Sequence, residues 1–493
     1  MQFSELIKDI KNIVVSGDSL VEIAGLEADS RQVKAGFLFA ALKGMQLDGT
    51  EFINKAIEAG AKAILVADDY AGDMSGDVTW IKSAEPRQTL AFLAANFYPK
   101  QPPHILAITG TNGKSSIADF LRQIFTRAGK RAASLGTLGV KTCEQGKPDK
   151  HIELHHTSPD PITLHRILDE LAADDVEYLA IEASSHGLEQ NRMDGVRICA
   201  AGFTNLTLDH LDYHSNMEEY FEAKMRLFTE LLPKTSQAVV SADGAYATRV
   251  ANIAGFAGSN AKKVGFAGDY IKLNKVDNLA HGQRMDFDLR GENYIVDLPL
   301  IGVFQVENAL VAAGLALSTN NVDVENVMAA LAELKGAKGR LELVGKSQKG
   351  GRVFVDFAHT PDSLESAILA LRPYLDEGKK LVTIFGCGGD RDQSKRPLMG
   401  AVAETNSDMA ILTDDNPRFE DAARIRAMAK VGCPHALEIG DRGAAIAKGI
   451  ELLDDGDILL IAGKGHEMGQ KINGVEHEFS DQVEVLKRLE AGA

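Results

Sequence analysis

A strand, a glycine-containing loop and a helix follow one another near residue 110, and this order constrains the fold of the 493-residue chain more than any other feature. Residues 105–108 are apolar, which is typical of a short buried strand. Gly110 and Gly113 allow a tight turn, and apolar side chains then recur at helical spacing over residues 115–129. Backbone N–H groups converge where such a loop meets a helix N-terminus, and they favour an anion. The order therefore predicts a phosphate-binding loop.

Two side chains of this loop are suited to a nucleotide. Lys114 would add a mobile cation, and Ser115 would add a hydroxyl group for Mg²⁺. The common form of the motif has glycine at the position of Ile108, so this loop is a shortened variant. An ordinary turn between a strand and a helix is the alternative interpretation.

Length and composition restrict the class of protein. At roughly 100–200 residues per domain, the chain is long enough for about three domains. The net charge of −17 argues against nucleic acid or an anionic membrane surface as a partner. The four cysteines contain no CxxC pair, so neither a disulfide framework nor a zinc site is indicated. We find no signal peptide and no apolar run that would span a bilayer, and we expect a cytoplasmic protein.

Two stretches mark the expected domain boundaries. Three prolines stiffen residues 98–103. Residues 335–339, Lys-Gly-Ala-Lys-Gly, mark the second boundary. We predict domains at residues 1–101, 102–337 and 338–493. The first is predicted to be a small α/β unit with strands at 21–26, 37–42 and 63–66 and a helix at 52–59.

The other two domains alternate strands with helices, and we predict an α/β fold with a P-loop ATPase-like parallel sheet in the middle domain. Its strands are expected at 105–109, 131–138, 176–183, 198–204 and 237–242, followed by a strand-rich segment at 284–301 and helices at 307–318 and 324–334. The last domain is predicted to be a Rossmann-like doubly wound sheet, whose ligands bind outside the carboxyl ends of the strands. Its strands are expected at 353–357, 380–385, 409–413, 436–439 and 458–462.

Glu182 ends an apolar run and is placed like the acidic residue that holds Mg²⁺ beside a phosphate loop. Two like charges about 4 Å apart cost roughly 4 kcal/mol at an effective dielectric constant near 20. A helix terminus returns only about 0.3–2 kcal/mol. A phosphate that meets a carboxylate therefore needs a divalent cation. A solvated acid at a strand end is the alternative for Glu182.

Residues 209–214 form the densest polar cluster of the chain. His210 and His214 would share one face of a helix, which could suggest zinc, but the glutamate of an HExxH motif is missing. Asp209 and Asp212 are hard oxygen donors that suit magnesium. The alternative is that these groups only cap a helix.

Three cationic residues remain ambiguous from the residues alone. Lys224 lies in a helical pattern and would ordinarily be a surface lysine. Arg391 and Arg418 follow predicted strand ends and could each grip a carboxylate, with about 1.5–3 kcal/mol per charge-assisted contact. Plain turns at these positions are equally compatible with the sequence.

Several of these segments together resemble the Mur ligase family. The resemblance extends from Asp29-Ser-Arg31 to Glu467 and so covers all three predicted domains. The motifs that carry it are residues 108–115, 182–186, 205–214, 356–362, 386–392 and 463–467. Residues 415–418, Asp-Asn-Pro-Arg, look like the signature of the branch that adds diaminopimelate.

The resemblance implies a UDP-binding, an ATPase and an amino-acid domain, with ATP and Mg²⁺ as cofactors. It implies catalytic roles for Lys114, Glu182, His210 and Lys224, and a metal site made by Ser115, Glu182, His210 and carbamylated Lys224. The residues implied to bind ATP are Gly110, Thr111, Asn112, Gly113, Lys114, Ser115, Ser116, Asn308, Arg340, Asp356 and His359. Those implied to bind the UDP substrate are Ser30, Thr157, Ser158, Ser184, Gln190 and Arg192. Those implied to bind diaminopimelate are Arg391, Asp415, Asn416, Pro417, Arg418, Gly463 and Glu467.

The activity that the resemblance implies is ATP-dependent addition of meso-2,6-diaminopimelate to the D-glutamate γ-carboxyl group of UDP-N-acetylmuramoyl-L-alanyl-D-glutamate. It would proceed through an acyl phosphate, in peptidoglycan precursor synthesis, and we expect a monomer. Lysine lacks the second carboxylate, so binding it would leave Arg418 unpaired, at a cost of order 3–5 kcal/mol. The alternatives are a lysine-adding muramyl ligase, a folylpolyglutamate synthetase and an ATP-binding scaffold that makes no bond.

Overall fold

The computed structural model describes residues 1–44, 47–143, 150–154, 157–211 and 213–491. Within these ranges, three large sheets of five, eleven and six strands follow one another along the chain, with a two-stranded hairpin near the end. Helices pack against the sheets, so the predicted α/β class is confirmed. None of the helices in the described ranges combines the length and apolar character that a bilayer crossing requires.

The first sheet has the strand order β1-β5-β4-β3-β2 and is parallel except for β1. Its strands are β1 (Ile13–Ser16), β2 (Gly25–Glu27), β3 (Phe37–Ala40), β4 (Ala63–Ala67) and β5 (Thr79–Ser83). Its helices are α1 (Phe3–Leu6), α2 (Ile53–Glu58) and α3 (Pro86–Phe97), with a 3₁₀ turn at Gly49–Phe52. The expected strand at 21–26 begins only at Gly25, because the segment before it meets the chain's first residues through an isolated bridge between Gln2 and Glu22.

The eleven-stranded sheet has the order β16-β15-β14-β13-β12-β11-β6-β10-β7-β8-β9. Its first six strands are β6 (His104–Thr109), β7 (Ala132–Gly136), β8 (Gly139–Cys143), β9 (Lys150–Ile152), β10 (Tyr178–Glu182) and β11 (Ile198–Phe203). The others are β12 (Gln237–Ser241), β13 (Asn260–Gly265), β14 (Ile271–Leu279), β15 (Gly282–Leu289) and β16 (Glu292–Leu298). The seven strands from β14 to β7 in this spatial order pair in parallel. At one end β15 and β16 pair antiparallel, and at the other end β8 and β9 do so.

Strand β6 lies at the centre and is apolar from Ile105 to Ile108, because both of its faces are covered. Leu106 and Ile108 pack into the core on one face, while Ile105 and Ala107 pack into the core on the other. The helices are α4 (Lys114–Arg127), α5 (Pro161–Ala173), α6 (Ser185–Glu189), α7 (Met217–Arg226), α8 (Ala247–Phe256), α9 (Val303–Ser318) and α10 (Val324–Leu331), with a π-helical segment at Leu227–Leu231. The glycine loop therefore leaves the middle of a rigid sheet and enters α4.

The six-stranded sheet has the order β17-β18-β22-β19-β20-β21, and only the edge strand β17 is antiparallel. Its strands are β17 (Glu342–Lys346), β18 (Arg352–Asp356), β19 (Leu381–Phe385), β20 (Met409–Leu412), β21 (Leu437–Glu438) and β22 (Ile458–Ala462), followed by the hairpin β23 (Gly469–Ile472) and β24 (Val475–Glu478). The helices are α11 (Pro361–Leu371), α12 (Lys395–Asn406), α13 (Ala422–Lys430), α14 (Arg442–Glu451) and α15 (Asp481–Ala491), with a 3₁₀ turn at Arg372–Tyr374. Cores on both faces match the predicted doubly wound sheet.

Candidate active site

One cavity of about 850 Å³ lies where the carboxyl ends of the eleven-stranded and six-stranded sheets face each other. Strands β6, β10 and β11 supply the loops on one side, and β18, β19, β20 and β22 supply the loops on the other. We call these two sides the nucleotide half and the amino-acid half, after the ligands that the sequence resemblance implies for them. Polar residues that lie far apart in the sequence thus share one enclosed space.

The glycine loop begins and ends at positions that only glycine tolerates. Gly110 has φ +145°, and a Cβ atom there would lie 1.9 Å from Thr204 Oγ1. Gly113 has φ +90°, and a Cβ atom there would lie 2.3 Å from Asn308 Oδ1. Gly113 is also the N-cap of α4, so the free N–H groups of the helix open into the loop.

Lys114 lies inside this loop and bonds to the backbone around it. Its Nζ donates to the carbonyl oxygens of Gly110 at 2.9 Å and of Thr111 at 2.7 Å. Burial lowers the pKa of Lys114 below its ordinary value, while the carboxylate of Glu182 opposes that shift. An ammonium group at this point suits the phosphate chain of a nucleotide.

Glu182 ends β10 and is 2 % exposed. Its Oε1 accepts a hydrogen bond from Thr137 N at 2.8 Å, and its Oε2 accepts one from Thr137 Oγ1 at 3.2 Å. The alternative of a solvated acid is therefore wrong. Ser115 Oγ, also in the cavity, accepts a hydrogen bond from Arg340 Nη2 at 3.0 Å. These carboxylate and hydroxyl oxygens are hard donors that suit Mg²⁺.

Lys224 projects from α7 and is 1 % exposed, so its interpretation as a surface lysine is wrong. Its Nζ donates to Gly110 O at 2.8 Å and lies 4.4 Å from the centre of the Tyr220 ring. Burial and then the charge of Lys114 lower the pKa of Lys224 well below the ordinary lysine value. A neutral buried amine is a nucleophile, which is the chemical state that carbamylation by CO₂ requires.

Residues 209–211, 213 and 214 lie in turns after β11 and not on a helix, and Asp212 lies outside the described residues. His210 has φ +56°, its Nε2 is 3.5 Å from Asp209 Oδ2, and burial lowers its pKa to about 3. Its ring is therefore neutral at pH 7 and has a lone pair available for a metal.

None of the described residues of this cluster caps α7, because Asn216 is its N-cap. Among the described residues, no three His, Cys, Asp or Glu side chains surround a common point that could hold a metal. A metal at His210 would therefore depend on other ligand types as well.

A connected polar network lies beside Glu182. Arg192 donates to Ser158 O at 2.7 Å and to Gln190 Oε1 at 2.7 Å. Ser184 Oγ donates to Ser158 Oγ at 3.0 Å, and Thr157 Oγ1 lies 2.9 Å from Thr137 Oγ1. The network combines neutral hydroxyl and amide groups with one guanidinium group, a set that can bind the polar groups of a sugar or a peptide.

The amino-acid half combines arginines with acids. Arg418 has φ +53°, and its Nη1 donates to Gly389 O at 2.6 Å. Burial and then the charge of Arg391 lower the pKa of Arg418. Asp415 is buried, and its Oδ1 accepts no hydrogen bond from the described part of the chain. Together these groups can take a ligand that carries both carboxylate and ammonium groups.

Asn416 and Glu467 complete this half through Lys464. Asn416 Nδ2 donates to Glu467 Oε2 at 2.8 Å, and Lys464 Nζ donates to the same oxygen at 2.8 Å. Gly463 has φ +117°, and a Cβ atom there would lie 3.1 Å from Asp415 Oδ2. The loop after β22 is thereby fixed against the loop after β20.

Arg340 and the end of β18 connect the two halves. The Arg340 guanidinium group lies 4.5 Å from the centre of the Phe357 ring while it donates to Ser115 across the cavity. Asp356 accepts hydrogen bonds from Leu341 N at 2.6 Å and Ala358 N at 2.7 Å, and burial raises its pKa. These contacts hold the six-stranded sheet close to the glycine loop.

Most residues predicted for the site line this cavity. Those from the predicted nucleotide and metal sets are Thr111, Asn112, Gly113, Lys114, Ser115, Ser116, Glu182, His210, Lys224, Asn308, Arg340, Asp356 and His359. Those from the other two sets are Thr157, Ser158, Ser184, Gln190, Arg192, Arg391, Asp415, Asn416, Arg418, Gly463 and Glu467. Three do not line it: Gly110 and Pro417 are backbone positions beside it, and Ser30 lies in the first sheet's unit next to the Asp29–Arg31 ion pair.

Sequence reasoning missed several residues of the cavity. Thr137 follows β7 and holds Glu182, so its place at a strand end could have identified it. Asn205 Oδ1 accepts a hydrogen bond from Asn112 N at 2.9 Å. Burial and the carboxylate of Asp243 raise the pKa of Glu307 to about 7. Lys395 carried no signal at all, because nothing in the spacing of α12 separates it from a surface lysine.

Family models match three consecutive stretches of the chain. The model of the Mur ligase family, catalytic domain, matches residues 22–98. The Mur ligase middle domain matches residues 108–316, and the Mur ligase, glutamate ligase domain, matches residues 339–465.

Curated relatives and solved structures agree with these matches. The chain is 45% identical over 481 residues to the UDP-N-acetylmuramoyl-L-alanyl-D-glutamate–2,6-diaminopimelate ligase of Agrobacterium fabrum, covering 98% of this chain and 96% of that protein. It is 49% identical to the enzyme of the same name from Bradyrhizobium diazoefficiens, covering 95% of each. A solved structure of an enzyme of that name superposes with a TM-score of 0.70 at 32% identity over 100% of this chain and 99% of the other. The MurF ligase from Thermotoga maritima in complex with ADP shares the fold, with a TM-score of 0.63 at 18% identity over 97% and 99% of the two chains.

Proposed function

Because the chain belongs to the Mur ligase family, we propose that it joins meso-2,6-diaminopimelate to the γ-carboxyl group of UDP-N-acetylmuramoyl-L-alanyl-D-glutamate. The enzyme is an ATP-dependent, ADP-forming amide ligase of peptidoglycan precursor synthesis. The observation that carries this proposal is the shared cavity, in which a phosphate loop faces an arginine pair and the buried carboxylate of Asp415. Within the described residues, Asp415 Oδ1 accepts no hydrogen bond, and it lies 3.8 Å from Lys464 Nζ.

The reaction needs an activated acid, because a carboxylate does not accept an amine at neutral pH. The γ-carboxylate oxygen attacks the γ-phosphorus of ATP, a C–O–P linkage forms, and the bond to the ADP oxygen breaks. The amine nitrogen of diaminopimelate then attacks the acyl carbon and loses a proton, and phosphate leaves as the C–O bond breaks. The chain contributes positioning and charge stabilisation, as in other phosphoryl transfers.

The nucleotide half is assigned to ATP. Residues 111–116 would surround the phosphates, and Asn308, Arg340, Asp356 and His359 would complete the site from the facing elements. The oxygens of Ser115 and Glu182 and the neutral ring of His210 suit Mg²⁺, which would supply positive charge beside the phosphates.

Carbamylation would convert Lys224 from a cation into an anionic oxygen ligand. The buried amine adds to CO₂, a N–C bond forms, and one proton is released. The low pKa of Lys224 favours this reaction, because an ammonium group has no lone pair. The modified side chain would then join the metal ligands in the nucleotide half.

The UDP-linked substrate is assigned to the polar network beside Glu182 and to the first sheet's unit. Thr157, Ser158, Ser184, Gln190 and Arg192 are assigned to the muramoyl dipeptide. Ser30 would meet the UDP end, which therefore extends out of the cavity towards the first sheet.

In the amino-acid half, Arg391 and Arg418 are assigned to the carboxylates of diaminopimelate, and Asp415 and Glu467 to its ammonium groups. Asn416, Pro417 and Gly463 shape the same pocket. Asp415 Oδ1 lies 3.8 Å from Lys464 Nζ but accepts no hydrogen bond within the described residues, which supports its assignment to an ammonium group of the ligand.

We assign the domains to residues 1–101, 102–337 and 338–493, because the three sheets lie within these ranges. One chain supplies both halves of the cavity, which supports activity as a monomer. The supply of ATP and UDP-linked precursors makes the cytoplasm the proposed compartment.

The direct test is incubation with the UDP-dipeptide, ATP and meso-diaminopimelate, followed by the mass of the product. We expect the mass of the tripeptide together with one ADP per bond formed. Lysine and glutamate are the control acceptors, and equal turnover with lysine would reject the assignment. Phosphate release that depends on neither acceptor would favour the scaffold alternative.

A further inference from the structure

Lys395 is a buried cation of the cavity that has no hydrogen-bond or ion-pair partner among the described residues. It is 8 % exposed and lines the cavity at the first residue of α12. Within the described ranges it forms no ion pair and donates no hydrogen bond, whereas the neighbouring Arg396 pairs with Glu420 at 2.7 Å. The charge of Lys395 helps to lower the pKa of the buried Asp209 carboxylate, but within the described residues no acceptor contacts the ammonium group. A buried ammonium group without a hydrogen-bond partner is costly, so this position suits an anion that arrives with a ligand.

The position of Lys395 at the start of its helix also favours an anion. The first backbone N–H groups of α12 have no carbonyl partner within the helix, and the helix dipole is positive at this end. Ser394, the N-cap, has helical φ and ψ angles and gives no side-chain cap. The anion would therefore meet an ammonium group and a helix N-terminus together.

Lys395 lies at the border between the two halves. Burial and then the charge of Lys395 lower the pKa of His359. His359 Nε2 is 4.0 Å from Asp209 Oδ2, which belongs to the nucleotide half. Lys395 itself follows the loop that carries Arg391 in the amino-acid half. It thus faces the space between the phosphate loop and the arginine pair.

We propose that Lys395 is a further catalytic residue, which holds the phosphoryl group after it has left ATP for the substrate carboxylate. The proposal rests on the proposed function and concerns its reacting group. Lys114 serves the phosphates from the loop, and Arg391 and Arg418 serve the carboxylates of the amino acid. A phosphoryl group bonded to the γ-carboxyl oxygen lies between these sets and needs a cation on the acceptor side.

The role is electrostatic in both steps of the reaction. As the P–O bond to ADP breaks, Lys395 stabilises charge on the transferred oxygens, and as the C–O bond breaks it stabilises the leaving phosphate. Lys395 acts in neither step as an acid or a base. Such a preorganised donor typically contributes roughly 10²–10³-fold to kcat.

The test compares Lys395→Gln with Lys395→Arg in the full-length enzyme. We expect Lys395→Gln to lower kcat about 100-fold, with the KM for diaminopimelate changed less than about twofold, and we expect Lys395→Arg to recover part of the loss. The first step is measured alone, as ¹⁸O exchange between bridging and non-bridging β–γ positions of ATP with the UDP-dipeptide and without diaminopimelate. This exchange should fall in parallel with kcat.

Lys448→Gln is the matched control, because it removes a half-buried lysine of α14 that lies outside the cavity and pairs with Glu451. A raised KM for diaminopimelate with unchanged kcat and isotope exchange would overturn the proposal and make Lys395 an amino-acid ligand. If Lys395→Gln lowers the Tm, Lys395→Met repeats the test with an apolar stem, and normal exchange in that variant would also overturn it. Failure of the proposed function is distinguishable, since the unmodified enzyme would then make no diaminopimelate product.

Discussion

Each half of the cavity brings two cationic side chains together, but the halves differ in whether those side chains can lose their charge. The nucleotide half holds Lys114 and Lys224, whose ammonium groups bond to loop carbonyls and whose pKa values fall. The amino-acid half holds Arg391 and Arg418, and a guanidinium group keeps its charge at physiological pH even when its pKa is lowered. A lysine pair can therefore lose a proton, whereas an arginine pair stays charged and remains a permanent binding site for anions.

Replacement of Lys224 should have the largest effect, because it tests whether the nucleotide half needs a lysine that can lose its proton. Lys224→Arg keeps a positive charge but cannot form a carbamate, and we expect kcat to fall by roughly 10³-fold. The measurement is product formation at saturating substrates. The control is Lys234→Arg, at an exposed position. Full activity of Lys224→Arg would mean that charge alone is required there.

Arg418→Ala tests whether the arginine pair of the amino-acid half binds the carboxylates of diaminopimelate. We expect the KM for diaminopimelate to rise of order 100-fold, at the lower end of the cost of breaking a buried ion pair, because Arg418 is only half-buried. ATP binding, measured by calorimetry, should stay within about twofold, since the loop contacts lie in the other half. Arg372→Ala, at a residue outside the cavity, is the control. An equal loss of ATP affinity would show that the halves are not independent.

The pH dependence should separate the halves. The folded-state pKa of Lys224 is depressed, so the reactive neutral amine is present above that pKa and is lost as pH falls through it. We expect kcat to decline on acidification by up to about tenfold per pH unit and to recover in part with added bicarbonate. The KM for diaminopimelate should be flat over the same range, because the arginines do not titrate there. A kcat that ignores bicarbonate would contradict carbamylation.

Phe357→Leu should have the smallest effect on the kinetics. It weakens the contact between Phe357 and Arg340, which connects the two halves. It removes the aromatic face under Arg340 while it keeps an apolar side chain, and such a cation–π contact contributes about 0.5–1 kcal/mol. We expect the KM for ATP to rise about two- to fivefold with kcat nearly unchanged. Steady-state kinetics at varied ATP is the measurement. Phe419→Leu, at an exposed phenylalanine, is the control.

The sequence predicted the framework well where local rules decide it. The strand before Gly110 and the helix after Gly113 are present because apolar periodicity and positive-φ glycines act locally. The expected strand at 21–26 starts late, and β1 and β5 were not predicted. β5 pairs with both β4 and β1, and β1 pairs with β5, so these short segments become strands through tertiary pairing that no local pattern encodes.

The site was less predictable than the fold, because burial of a polar residue is a tertiary property. The spacing of His210 and His214 would suit a helix, yet the segment is a turn with His210 at φ +56°. Lys224 and Lys395 each resemble a surface lysine in sequence, and only the packed structure shows both facing the cavity. The family resemblance supplied Lys224, and only the structure supplied Lys395.

The two bonds between Lys114 and the carbonyls of its own loop have a consequence for selectivity. Any incoming phosphate competes with the protein's backbone for this ammonium group, so the observed affinity is the difference between the bonds gained and the bonds given up. In the proposed assignment, a polyphosphate chain would contact several groups of the loop and would compensate for the two bonds. A single orthophosphate ion would form fewer contacts, so Lys114 would return to its carbonyl partners when that ion leaves.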